Sequence, residues 1–161
     1  MVYSQNNEQQ LIESYFGNSK GTFLEIGAND GKTLSNCYSL SLNGWNGLCV
    51  EPSPKVWNTL LKTHLENENV QCMNVAIGDS NRMAVMHDSG TLLKTGDKAL
   101  VSTLEDVDFQ RWNKYVQFEE VEVEVIDFET MLELSNQKTF DLISIDAEGF
   151  DYKILKQIDL N

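Results

Sequence analysis

The sequence predicts an α/β fold with a mainly parallel sheet and flanking helices, and three observations carry that expectation. Short apolar runs alternate with segments of helical periodicity, the first run enters a Gly-rich turn at Gly27 to Gly31, and the second ends on the acidic residue Glu51. Strands that alternate with helices are joined by right-handed crossovers, which make them parallel and gather the loops at the strands' C-terminal ends. Ligands of such sheets bind at that edge.

Leu11, Ile12, Tyr15 and Phe16 fall at helical spacing within residues 8 to 16, and Gly17-Asn18 supplies a stop, so an amphipathic helix is expected first. Thr22 to Ile26 is a short apolar strand leading into the Gly-rich turn, after which Thr33 to Leu42 reads as a helix ended by Asn43-Gly44. Gly47 to Glu51 is a second strand. Pro52 and Pro54 keep it from running on, and Val56 to Leu65 is helical in period. Val70 to Ile77 is expected as a third strand. Met83 to His87 and Ala99 to Leu104 read as short strands, separated by the turn-rich stretches Asp88 to Thr91 and Thr95 to Lys98. Glu120 to Val125 alternates strictly, which predicts a half-solvated strand whose acidic face discourages edge pairing. Asp127 is placed to cap a helix through Leu134. Phe140 to Asp146 reads as a fully buried strand flowing into a helix from Asp151 to Ile158.

With 161 residues, 41% of them hydrophobic, the chain suits one domain over residues 1 to 161 rather than two. The net charge of −13 opposes nucleic-acid binding, because that affinity rests on Lys and Arg displacing counterions. Cys37, Cys49 and Cys72 lack C-x-x-C spacing and are expected as buried thiols rather than disulfides or a zinc site. No apolar run approaches the roughly 20 residues that span a bilayer, and the polar start Ser4 to Gln10 is no signal peptide, so the expected location is cytoplasmic.

Glycines at 27 and 31 bracket a strand-to-helix turn where a missing Cβ lets backbone approach a ligand. A dinucleotide fingerprint needs G-x-G-x-x-G, but Asn29 and Lys32 stand where the second and third glycines would be. The remaining pattern, with acidic Glu25 in the strand, suits a smaller ligand carrying an amine and a carboxylate. Glu51, 24 positions after Gly27, is placed to accept hydrogen bonds from both hydroxyls of a ribose.

The chain resembles the FkbM-like methyltransferases, which are class I S-adenosylmethionine-dependent enzymes, many of them O-methyltransferases. The resemblance runs through Ser4-Gln5, Phe23-Leu-Glu-Ile-Gly-Ala-Asn-Asp-Gly31, Gly44 to Pro54, Val75-Ala-Ile-Gly-Asp79, Ser102-Thr-Leu104 and Ile145-Asp-Ala-Glu-Gly149, in the family's order. It implies a Rossmann-like class I methyltransferase fold and S-adenosyl-L-methionine as cofactor. It also implies that Glu25, Gly27, Asn29 and Gly31 surround the methionine portion, that Glu51 holds the ribose, and that Ala76, Ile77 and Asp79 lie near the adenine. Asp146 and Glu148 would face the transferring methyl and a small hydroxylated acceptor, such as a sugar or polyketide. Asp146 is the first candidate for general base and Glu148 the second. The plainer role of Asp79 is a turn carboxylate, and that of Asp146 is capping the next helix. No metal is expected, and His64 and His87 read as structural. The resemblance implies a sheet that lacks its last strands, whose open edge would favour a homo-oligomer. A catalytically silent cofactor-fold module acting in binding or assembly is the alternative.

Overall fold

A computed structural model describes residues 1 to 92 and 97 to 160. The elements in order are α1 (Glu8–Phe16), β1 (Thr22–Ile26), α2 (Tyr38–Leu42), β2 (Asn46–Val50), α3 (Pro54–Thr63), β3 (Val70–Met73), β4 (Ala76–Ile77), β5 (Arg82–Ser89), α4 (Asp106–Trp112), β6 (Phe118–Ile126), α5 (Phe128–Leu134), β7 (Leu142–Ile145) and α6 (Asp151–Leu155). The expected parallel sheet is present. Its order is β3-β2-β1-β7, with every neighbouring pair parallel.

Alternation along β1 and β2 sends side chains to both faces of that sheet. Leu24, Ile26, Leu48 and Val50 pack with Phe128 and Met131 of α5 and with Phe150 and Ile154 at α6. Phe23 and Cys49 point to the other face, against Leu40 of α2, Leu60 of α3, and Ile12 and Phe16 of α1. Both faces are thus covered by helices, which explains why these strands read as continuous apolar runs.

A second sheet, β4-β6-β5, carries its own apolar layer of Ala76, Met86, Val123 and Val125. Within it β6 lies between β5, antiparallel and paired along nearly its whole length, and β4, parallel and paired only at Val125 and Ile126, so among the described residues Phe118 to Glu124 keep one edge without a strand neighbour. Its alternation holds: Val123 and Val125 are buried and Glu120, Glu122 and Glu124 are exposed.

Four boundaries differ from the expectation. The helix expected from Thr33 begins only at Tyr38, because Leu34 sits at φ 60° and the N–H groups of Asn36 and Cys37 are drawn to Glu25. The run Val70 to Ile77 is two strands, β3 pairing with β2 and β4 with β6, so the chain crosses between sheets at Asn74 and Val75. Ala99 to Leu104 forms one antiparallel bridge, Thr103 to His87, rather than a strand. The strand expected as fully buried, Phe140 to Asp146, is shorter and half-buried, since β7 lies at the sheet's edge. Helix α4 had no counterpart in the sequence reading. Of the expected turn at Thr95 to Lys98, Thr95 and Gly96 lie outside the described residues. Among the described residues no helix is long and apolar enough to cross a membrane.

Candidate active site

The C-terminal ends of β1, β2 and β7 open onto a cavity of about 420 Å³, within the range of small-molecule sites. Eight of the ten residues singled out from the sequence line it: Glu25, Gly27, Asn29, Glu51, Ala76, Ile77, Asp146 and Glu148. Gly31 and Asp79 do not. Gly31 turns the chain at φ 77° behind the cavity, beside Leu60 and His64. Asp79 is exposed and bonded to Arg82 at 2.8 Å, which lowers its carboxyl, so its place is the turn rather than the cavity wall.

Glu51 is buried at the tip of β2. One carboxylate oxygen accepts the Asn29 N–H at 2.8 Å and the other the Ser53 N–H at 2.8 Å. Each oxygen keeps a second lone pair, so a pair of ligand hydroxyls can still be accepted. The main chain is fixed as well: Glu51 N–H donates to the Met73 carbonyl and Asn74 Nδ2 donates to the Glu51 carbonyl. Asn29, at φ 50°, donates from Nδ2 to the Lys98 carbonyl at 2.8 Å and so ties the Gly-rich turn to the segment Ala99 to Leu104, which forms a further wall.

Glu25 lines the cavity and also holds the chain beside it. Its buried carboxylate accepts from Ser35 Oγ at 2.9 Å, from Asn36 N–H at 3.0 Å and from Cys37 N–H at 3.3 Å, so it folds the loop after β1 around itself. Gly27 is demanded by the protein too. A Cβ there would collide with the Asp146 carbonyl, whose own N–H donates to Ile26 at 2.9 Å.

Beyond β7, Asp151 rather than Asp146 organises the turn, accepting from the Ala147 N–H at 2.9 Å and the Gly149 N–H at 3.3 Å. The carboxylate of Asp146 receives no hydrogen bond among the described residues. Asp146 is exposed as a residue, yet its carboxyl is raised by local burial and then by Asp151. Glu148, at φ 41°, is half-buried; burial first, then Asp146, Asp108 and Asp151, push its carboxyl up to about 7.

Sequence reasoning passed over several contributors. Asp88, assigned to a turn, is a fully buried hub whose Oδ1 accepts from Ser53 Oγ at 2.8 Å and Ser102 Oγ at 2.9 Å, joining the Glu51 loop to the far wall. Ser102 carried a signal only through the family pattern. Trp112 also lines the cavity, as does Gln5, which like Ser102 carried a signal only through the family pattern. Neither histidine is among the described residues lining the cavity: His64 is buried 3.8 Å from Cys49 Sγ, and His87 stacks on Phe109 with ring centroids 4.0 Å apart.

Burial pushes Glu25 and Glu51 up to about 7 as well, against the hydrogen bonds that oppose it. A carboxyl raised from the ordinary 4.5 to about 7 holds its proton longer in the folded state than in the unfolded one. Its contribution to stability is therefore full below the lower value and lost as pH rises through the upper one. The urea midpoint is expected to fall between pH 5 and pH 8, and Glu25→Gln to flatten that fall. A wild-type midpoint that rises over this window would refute the assignment.

A parallel sheet covered by helices on both faces, with a cavity at its loop edge, defines a Rossmann-like α/β domain. The methyltransferase FkbM domain model matches residues 25 to 161, and the chain belongs to that family. No curated protein and no solved structure matches it.

Proposed function

We propose that this methyltransferase uses S-adenosyl-L-methionine and methylates a hydroxyl of a small acceptor. One observation carries the reading: the described residues lining the cavity include the carboxylates Glu8, Glu25, Glu51, Asp146 and Glu148 and no Lys or Arg. Such a lining repels phosphates and favours a ligand that bears positive charge and hydroxyls. A methyl-bearing sulfonium attached to a ribose has both properties. When bound, S-adenosylmethionine supplies an electrophilic methyl group.

The chain's own residues bind, orient and accept a proton. Glu51 holds the ribose hydroxyls, the Gly27 to Asn29 turn backs the amino-acid portion, and Ala76 and Ile77 form an apolar surface for the adenine. Glu148 takes the proton from the acceptor hydroxyl at its carboxylate. Burial pushes the Glu148 carboxyl up to about 7, which matches it to that task at neutral pH, and Asp146, also raised by burial, is the second candidate. Asp146, unbonded and beside it, places negative charge near the reacting carbon. Cytoplasmic location belongs to this reading.

Calorimetry with S-adenosylmethionine and S-adenosylhomocysteine tests the donor, and a folded sample that binds neither would sink the proposal. Labelled-methyl transfer to a panel of hydroxylated glycosides and polyketides tests the acceptor class. On an acceptor so found, Glu148→Gln is expected to lower kcat about 100-fold or more while leaving donor affinity within a factor of about three. An undiminished kcat would remove Glu148 from the role of base.

A further inference from the structure

The N-terminal arm, residues 1 to 9, precedes the residues 25 to 161 that the family model matches, and its Gln5 and Glu8 form part of the cavity wall. The arm is fastened by particular bonds. Ser4 is buried, pairs with Leu34 in a parallel bridge, and accepts the Gln9 N–H on its Oγ at 3.1 Å. Gln9, also buried, accepts the Tyr3 N–H at 2.7 Å and donates to the Met1 carbonyl at 3.1 Å and to Glu13 at 2.8 Å. Tyr3 meets Tyr38 edge-on at 4.7 Å. The arm is therefore fixed against the loop between β1 and α2, and Gln5 follows directly on its anchored residue.

At this end the cavity has few side-chain donors left for an anionic group. The Asn36 amide gives one of its two hydrogens to Ser144 Oγ at 3.1 Å, and the Thr33 hydroxyl donates to Asp30 at 2.7 Å. With no Lys or Arg among the described lining residues, a ligand carboxylate has to be met by neutral donors. The Gln5 amide has no hydrogen-bond partner among the described residues, and it carries both donor hydrogens and an acceptor oxygen. It matches a zwitterionic amino-acid group.

We propose that Gln5 binds the amino-acid end of the methyl donor, its Nε2 donating to the ligand carboxylate, so that the N-terminal arm is a working part of the donor site. The inference rests on the S-adenosylmethionine reading above. Since Gln5 is exposed, its replacement leaves the fold intact, and an unchanged thermal midpoint verifies this.

The test compares S-adenosylhomocysteine with 5′-methylthioadenosine, which keeps adenine, ribose and sulfur but lacks the amino-acid group. In calorimetric titrations of the whole chain, Gln5→Ala is expected to weaken S-adenosylhomocysteine about tenfold and to leave 5′-methylthioadenosine within about twofold. Gln5→Glu, similar in size but with a carboxylate in place of the donor, should weaken S-adenosylhomocysteine further. If the wild type binds both ligands and the variants change both equally or neither, the role of Gln5 is overturned while the donor reading stands. Wild-type protein that binds neither ligand overturns both.

Discussion

Replacing Glu51 with alanine is expected to weaken S-adenosylhomocysteine binding about 100-fold or more. The carboxylate would accept two ribose hydroxyls, and hydrogen bonds to a charged group contribute about 1.5–3 kcal/mol each. The same change strands the N–H groups of Asn29 and Ser53, both bonded to this carboxylate at 2.8 Å in a buried setting. An orphaned buried donor costs about 1–3 kcal/mol, so the variant should also unfold more easily. Glu51→Gln separates the two effects. It keeps the volume and one acceptor oxygen, recovering part of the stability, while its NH2 opposes an N–H and serves one hydroxyl poorly. Calorimetry and denaturant titration of both variants decide the matter, and donor affinity within about threefold of wild type in the folded alanine variant would remove Glu51 from the ribose.

Gly27→Ala should produce the largest loss of stability, about 4 kcal/mol or more, and abolish donor binding with it. Gly27 adopts φ 81°, where an L side chain is strained, and its Cβ would strike the Asp146 carbonyl. Nothing there can yield cheaply, because Gly27 N–H is held by Val50 O at 2.9 Å and Asp146 N–H by Ile26 O at 2.9 Å. Gly31→Ala is the informative comparison. Its φ of 77° imposes similar backbone strain, but the added Cβ would meet side-chain atoms of Leu60 and His64, which can shift. Thermal unfolding should find Gly27→Ala clearly the worse of the two, and equal losses would refute the backbone-collision account.

Several parts of the site were legible because their cause is local. Apolar runs bounded by turn residues located β1, β2 and β7, and strict alternation located β6. The acidic end of β2 placed Glu51 at the cavity. Other parts had no local cause. Glu25 lines the cavity, but nothing in its neighbourhood in sequence showed that its carboxylate also accepts from Ser35, Asn36 and Cys37, a pairing set by the path of a loop. Asp88, near the end of β5, and Ser102, 14 positions on in an irregular segment, meet because the bridge between His87 and Thr103 brings that segment back against β5. The split of Val70 to Ile77 follows from which neighbours pair with each half, and pairing partners more than 45 residues away leave no periodic mark on β4.

What the sequence by itself determined was the alternation of strands and helices, the turn after β1 and the acidic chemistry of the strand ends, since these follow from side-chain periodicity and backbone preference over a few residues. Tertiary structure alone decided which of those groups share the cavity. It withdrew Gly31 and Asp79, gave Gly27 a protein carbonyl as its reason, and added Gln5 and the wall at Ala99 to Leu104, because convergence in space depends on pairing and packing between distant segments.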